Sequence, residues 1–362
     1  MRRALEKAYR ALVQRAEHSR IVWLLLSPLI VVSALFWVIS SIRRFFFMAL
    51  RKKRTLSSVV ITVGNVTVGG TGKTPMILSL LSGLDTKKTK IAYVSRGYRR
   101  EGRGLCVGRD LDPKQIGDEA SLVQRRHKEV VVGICSSKWK AARMVDSQVD
   151  LIILDDGLQR YDVPVDVEVA TVDCLCPDGF GYLLPRGLLR ESFSRLREVD
   201  ALVLTNAIDT KALERGLEKV KGFNLPIIIT RPRITQFFTP DGLSCTLAPS
   251  TPVALVCSIA HPKRFRLTMQ KAGYTVVEQM ELPDHVDIKD EELVQWADRI
   301  RVLYEGVVVV GTEKDWARKS TWPALSVPLL FSRLESEIVE GKENFCALID
   351  RVHTMVRTKP VN

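Results

Sequence analysis

The chain lacks the cysteine spacing of a disulfide scaffold or a zinc protein. Its seven cysteines, Cys106, Cys135, Cys174, Cys176, Cys245, Cys257 and Cys346, are odd in number, scattered and without a Cys-x-x-Cys pair. They read as reduced core thiols of a cytosol-facing protein. The signatures of nucleic-acid recognition are missing as well. There is no zinc-finger spacing, no aromatic RNA-binding motif and no basic zipper, although the net charge is +13. No nucleic-acid partner is expected, and the basic excess, much of it near the N-terminus, suits anionic lipid or a phosphorylated substrate. Internal repeats and low-complexity tracts are absent. With 46% hydrophobic and 26% charged residues the composition excludes wholesale disorder, and 362 residues suffice for two domains and an appendage.

Charge of either sign is missing from Ile21 to Ile42, a run of 22 residues. That length crosses a bilayer core of about 30 Å as a helix. No small-residue cleavage pattern follows, so it is not a cleavable signal. Arg2, Arg3, Lys7, Arg10, Arg15 and Arg20 precede the run, and Arg43, Arg44, Arg51, Lys52, Lys53 and Arg54 follow it. Positive charge on both flanks gives no orientation. Leu5, Tyr9, Leu12, Val13 and Ala16 line one apolar face of a basic helix, which suits a membrane surface. Pro28 is placed to break the apolar run in two. Residues 1–54 are therefore expected to anchor the protein on the cytoplasmic face without fully crossing. A true span and a helix packed on the protein itself are the alternatives.

Beyond Arg54, short β-rich apolar runs alternate with helical stretches. Val59–Val63, Ile91–Ser95, Val130–Cys135, Leu151–Leu154, Val167–Val172 and Ala201–Leu204 carry no polar face, the pattern of strands in a parallel, doubly wound sheet. Pro226 to Gly242 reads as two extended pieces and a turn and marks a boundary, giving domains 55–225 and 226–362. The second domain repeats the α/β pattern in Val253–Ile259, Tyr274–Glu278, Val307–Val310 and the helical stretch Glu291–Tyr304.

The first strand runs into "TVGNVTVGGTGKTP" (62–75). Strand, glycine-rich turn, Lys-Thr and helix form a cradle for phosphates. Glycine tolerates the torsions that turn the N–H groups of Gly69, Gly70, Thr71, Gly72 and Lys73 inward, and the helix adds its positive end. Lys73 would reach the β- and γ-phosphates, and Thr74 would ligate Mg²⁺. Pro75 suits the first helical turn. Thr67 stands where the strict G-x-x-x-x-G-K-[ST] pattern has glycine, and Val68 follows it. The metal also needs a carboxylate at a strand end, and "LIILDDGLQR" supplies Asp155 and Asp156.

Together with "SRGYRR" (95–100), "GDEASL" (117–122), "LLPRGLLRE" (183–191), "IAHPKRF" (259–265), "PDH" (283–285) and "TEKD" (312–315), these segments resemble one family in order and over nearly the whole chain. It is the tetraacyldisaccharide 4'-kinase family, the lipid A 4'-kinases of Gram-negative bacteria. Thr67 is usual there. Leu158 and Arg160 depart from the commoner DDGFQH, Arg186 stands where a small residue is common, and the N-terminal extension is longer than usual.

The resemblance implies transfer of the γ-phosphate of ATP, with Mg²⁺, to the 4'-hydroxyl of a tetraacyldisaccharide 1-phosphate at the cytoplasmic face of the inner membrane, by an enzyme expected to be a monomer. It implies Asp118 as the base and His285 as its partner. Phosphoryl transfer is mostly positioning and charge neutralisation, and Arg190 has the guanidinium fork that matches phosphate oxygens. Glu191 is a further candidate for the metal or the ribose, and Arg96, Arg99 and Arg100 for the substrate's existing phosphate. The segment Lys314–Asp315 has no assigned role. The competing reading is a membrane-associated P-loop regulatory ATPase. Such ATPases usually carry a signature lysine at the position of Val68, and its absence, with Asp118 as candidate acceptor base, favours the kinase.

Overall fold

The computed structural model describes Tyr9 and residues 19–51, 54–98, 100–102, 104–284, 286–319 and 321–359, apart from the side chains of Arg20 and of 48–51. Among these residues the strands are β1 Val59–Gly64, β2 Ile91–Ser95, β3 Cys106–Gly108, β4 Val131–Ile134, β5 Leu151–Asp155, β6 Val167–Asp173, β7 Ala201–Thr205, β8 Ile227–Phe238, β9 Ser244–Cys245, β10 Pro252–Cys257, β11 Thr275–Glu281, β12 Val308–Thr312 and β13 Leu329–Glu340. Every apolar run expected as a strand forms one. Pro226–Gly242 differs in that a single strand runs through Pro232, followed by a turn in which Gly242 N–H donates to Thr239 O at 2.9 Å.

Two compact units form, and both are discontinuous in sequence. One takes Met1–Ser95, Ser137–Arg231 and Ile338–Asn362; the other takes Arg96–Ser136 and Pro232–Glu337. The expected boundary at 225/226 lies close to one of these crossings. Periodicity gives no sign of the others, because a strand looks the same in either unit.

In the first unit the strand order is β8-β7-β6-β1-β5-β2, with every neighbouring pair parallel. β1 is buried along its whole length, as its unbroken β-branched run requires of a strand covered on both faces. The register sets Val63 beside Asp155 and Gly64 beside Ala170. The carboxyl ends of three central strands therefore open on one edge, where doubly wound sheets bind ligands. The helix Lys73–Gly83 packs on β1 and β5. It buries Met76, Ile77, Leu80 and Leu81 completely, each contributing roughly 1.5–3 kcal/mol.

Among the described residues, two helical segments lie between Ser19 and β1. Arg20–Leu26 and Leu29–Arg51 are separated at Ser27-Pro28, as the missing proline N–H dictates. Leu29–Phe47 is long and apolar enough to cross a membrane, and Val31, Leu35, Ile39 and Phe45 are exposed on it. The amphipathic pattern expected over 5–16 lies outside the described residues apart from Tyr9.

In the second unit β11, β10, β12 and β13 are parallel neighbours, while β3 pairs antiparallel with β4. Alternate residues of β10 face opposite cores. Ala254 and Val256 pack with Trp296 and Phe331, and Val253, Leu255 and Cys257 pack with Phe265 and Met269. The helix Asp118–Arg126 follows Gly117, whose φ of +83° carries no strain for glycine. A Cβ there would meet the Tyr98 carbonyl at 2.8 Å.

Candidate active site

The loop after β1 is held from beneath by threonines. Thr71 and Thr171 share a hydroxyl hydrogen bond of 2.7 Å, and the Thr205 hydroxyl donates to Thr71 O at 2.8 Å. Gly72 starts the next helix at φ +79°, and a Cβ there would press on Thr205 at 3.1 Å. Among the described residues no side chain caps that helix, so its first-turn N–H groups are presented as an anion site.

Asn65 is fully buried in the mouth of the loop and organises it. Its Nδ2 donates to Thr67 O at 2.8 Å, and its Oδ1 accepts from Lys73 Nζ at 3.1 Å and from Arg190. Lys73 Nζ also lies 3.5 Å from Asp156 Oδ1. Arg190 grips Asp156 with both arms, Nη1 to Oδ2 at 2.9 Å and Nη2 to Oδ1 at 2.8 Å. Burial alone would raise the Asp156 carboxyl, but Lys73, Arg190 and Lys138 outweigh it and hold the group well below the usual range. The Arg190 guanidinium, whose charge burial opposes, is kept protonated chiefly by Asp156.

Asp155 behaves differently. Its Oδ2 accepts from the Tyr93 hydroxyl at 2.7 Å, while its buried Oδ1 has no hydrogen-bond partner among the described residues. Burial pushes this carboxyl up against the pull of Lys138 and Lys73. An orphaned carboxylate oxygen at the strand end, with the Thr74 hydroxyl at the start of the facing helix, is a donor set that fits Mg²⁺. Lys138, itself buried, donates to the backbone carbonyls of Asp155 and of Asp156, the latter at 2.7 Å.

Glu191 is buried and accepts from the Tyr161 hydroxyl and from Gln159 Nε2 at 3.3 Å. Burial and the Glu191 charge push the Tyr161 phenol up. Gln159 in turn donates to Asn65 O at 2.9 Å. The structure thus brings Lys73, Asp155, Asp156, Arg190 and Glu191 into one network with the loop of Thr67, Val68, Gly69, Gly70, Thr71, Gly72 and Thr74.

Asp118 belongs to the second unit, where it starts the helix Asp118–Arg126. Arg318 Nη2 lies 2.9 Å from its Oδ2. His285 lies outside the described residues, as does Arg99. The segment without an assigned role, Glu313-Lys314-Asp315, clamps that same helix. Arg126 pairs with Glu313, and Lys314 Nζ donates to Glu119 at 2.9 Å. Asp315 accepts from Arg318 at 2.7 Å and from Thr312 at 2.6 Å.

Sequence reasoning missed Asn65, Lys138, Tyr161 and Arg318. Asn65 carried a signal, since a polar residue between a buried strand and a phosphate loop must find partners. Arg318 carried a weaker one, three residues beyond Asp315. Lys138 and Tyr161 carried none.

The model of the tetraacyldisaccharide-1-P 4'-kinase family (LpxK) matches residues 23–353. The chain belongs to this family. It is 31% identical to the tetraacyldisaccharide 4'-kinase of Pasteurella multocida, over 93% of this chain and 97% of that one. It is 29% identical to the enzyme of the same name from Chlamydia abortus, over 82% and 83% of the two chains. Its fold is that of LpxK from Aquifex aeolicus, crystallised in complex with ATP, with a TM-score of 0.71 at 23% identity over 91% of this chain and 99% of that one.

Proposed function

We propose that this member of the family is an ATP-dependent lipid kinase of lipid A biosynthesis. It moves the γ-phosphate of ATP to the 4'-hydroxyl of a tetraacylated glucosamine disaccharide 1-phosphate. The observation that carries this reading is the Asn65–Lys73–Asp156–Arg190 cluster at the mouth of an uncapped helix, beside the orphaned Asp155 oxygen.

The chain's own residues divide the work. The N–H groups of Gly69 to Thr74 and the Lys73 ammonium bind the phosphates, and Lys73 and Arg190 offset the charge that spreads over the transferring group. Thr74 and Asp155 would hold a Mg²⁺ ion, which supplies further charge neutralisation. Asp156 keeps Lys73 and Arg190 in place, and Glu191, tied to Tyr161 and Gln159, supports the loop through Asn65. The sugar oxygen forms a bond to the γ-phosphorus, the bond from that phosphorus to the β–γ bridging oxygen breaks, and ADP leaves. Asp118 takes the hydroxyl proton, with His285 assisting.

A substrate with four acyl chains stays in its bilayer, so the catalytic body must work at the surface. The exposed apolar helix Leu29–Phe47 supports attachment there. We place the enzyme as a monomer on the cytoplasmic face of the inner membrane, the side that supplies ATP.

Incubation with ATP, Mg²⁺ and the acylated disaccharide 1-phosphate, followed by mass analysis of the lipid, tests the reading. One added phosphate on the lipid is expected. Release of free phosphate with no change in the lipid would make the protein a regulatory ATPase.

A further inference from the structure

Among the described side chains of Leu29–Phe47, Ser33 is the buried one, at 5% exposure. Its hydroxyl is used twice. Oγ donates to Leu183 O at 2.8 Å and accepts from Arg186 N at 3.1 Å. Both partners lie in a tight turn where Arg186 and Gly187 donate their N–H groups to Leu183 O at 3.0 and 2.9 Å. Tyr9 reaches the same turn, donating to Gly187 O at 3.0 Å. Arg186 is 2% exposed and stacks over the Tyr182 ring, its Cζ 4.5 Å from the centroid. The Ser33 hydroxyl is thus a buried fastening point of the apolar helix, which Arg44 also ties to Glu198 nearer its end.

The turn leads directly into the phosphate site. Val68 N donates to Leu188 O at 2.8 Å, Arg190 N donates to Val66 O at 2.7 Å, and Thr67 bridges to Leu189. The strap Tyr182–Arg190 therefore lies along the first half of the phosphate loop as an added backbone partner. At its end the Arg190 side chain binds Asp156 and Asn65, and Asn65 binds Lys73. A continuous path of hydrogen bonds and one short strap connects Ser33 with the Lys73 ammonium.

We propose that Ser33 is a positioning residue for phosphoryl transfer. By fixing the strap to the apolar helix, its hydroxyl sets the placement of Arg190 and of the loop N–H groups. Misplacement by about an ångström in such a site costs as much as 10²-fold in rate. The helix is then part of the nucleotide site's framework as well as an attachment. This inference rests on the kinase reading above.

The test compares the full-length wild type with Ser33→Ala and Ser33→Thr in phosphatidylethanolamine–phosphatidylglycerol vesicles. It measures kcat, KM for each substrate, the fraction bound to vesicles and the thermal midpoint. Ser33→Ala should lower kcat about tenfold, the scale expected for losing a two-bond anchor, while lipid KM and vesicle binding stay within error of wild type and the midpoint falls by only a few degrees. Ser33→Thr, which keeps the hydroxyl, should recover most of the loss. A kcat within twofold of wild type overturns the proposal. So does a loss that tracks lower vesicle binding, one that disappears when the assay is run well below both midpoints, or one that threonine leaves unrepaired. Should the wild type transfer no phosphate to lipid, the kinase reading falls by itself. Titration with a non-hydrolysable ATP analogue then decides, with weaker binding by Ser33→Ala supporting the fastening role and equal binding overturning it.

Discussion

Arg318 lies 2.9 Å from Asp118 and 2.7 Å from Asp315, so one guanidinium serves two carboxylates. Asp315 and the side chain of Arg318 are buried, and the Arg318 Nη1 also donates to Ser258 O at 2.9 Å. The cation that neutralises a structural aspartate thereby fixes the direction of the proposed base.

Separate substitutions distinguish the two duties. Asp118→Asn keeps size and most hydrogen bonding but removes basicity, so kcat should fall by about 10²–10⁴ with little change in the melting temperature. Recovery of that rate with excess Mg²⁺ or Mn²⁺ would assign Asp118 to a metal instead. Arg318→Met strands the buried Asp315 charge and should destabilise the fold by about 3–5 kcal/mol, read in a denaturant titration. An unchanged midpoint would show the pairing to be energetically idle.

Lys73→Ala removes the cation next to the transferred phosphate. Turnover should drop by at least about 10²-fold while circular dichroism shows the fold persisting, with a lower melting temperature because Asp156 loses one of its cations. Near-normal turnover would end the phosphate-loop reading.

Asp155 and Asp156 should respond to pH with opposite signs. Asp156 is held low, so its charge stabilises the fold above the unfolded value of about 4, and that stability is lost as the pH falls through the lower folded value. Asp156→Asn should lower the melting temperature at pH 7, with the difference shrinking below about pH 4. Asp155 is pushed up by burial, so its contribution is favourable at low pH and fades as the pH rises. Asp155→Asn should therefore melt higher than wild type at pH 8, show no gain at pH 4, and lose both activity and stabilisation by Mg²⁺. A lower melting temperature at pH 8 would contradict this.

Deleting residues 1–54 should leave the protein weakly bound to vesicles and poorly active on acylated substrate in a flotation and transfer assay. Undiminished binding by the truncated chain would mean that another surface makes the attachment.

The phosphate loop and the Asp155-Asp156 pair were legible because their spacing is dictated locally: a strand, a turn and a helix within a dozen or so residues. The break at Pro28 was legible for the same reason, since a missing N–H acts where it occurs. Lys138 and Tyr161 were not, because each acts through partners remote in sequence or through a backbone carbonyl, and composition carries no trace of either; the spacing of Arg318 from Asp315 hinted at that pair but not at Asp118. The two-unit division was hidden for a related reason. Residues 96–136 and 338–362 have the α/β character of their sequence neighbours, and only contacts reveal the unit to which they belong.

The helix Lys342–Thr358 gives that division a temporal meaning. Near its start, Asn344 donates to Ile227 O at 2.8 Å; beyond its end, Lys359 donates to Ser58 O at 2.7 Å, closing the first unit at the root of β1. A ribosome makes this helix after every strand of the unit, whereas it makes the apolar helix Leu29–Arg51 before all of them. Domains made N-terminal first ordinarily fold as they emerge. On the proposed membrane attachment, the apolar segment would be free to engage lipid while the nucleotide unit still lacks its closing piece. A nascent chain stalled before Lys342 would then be tethered but unfinished.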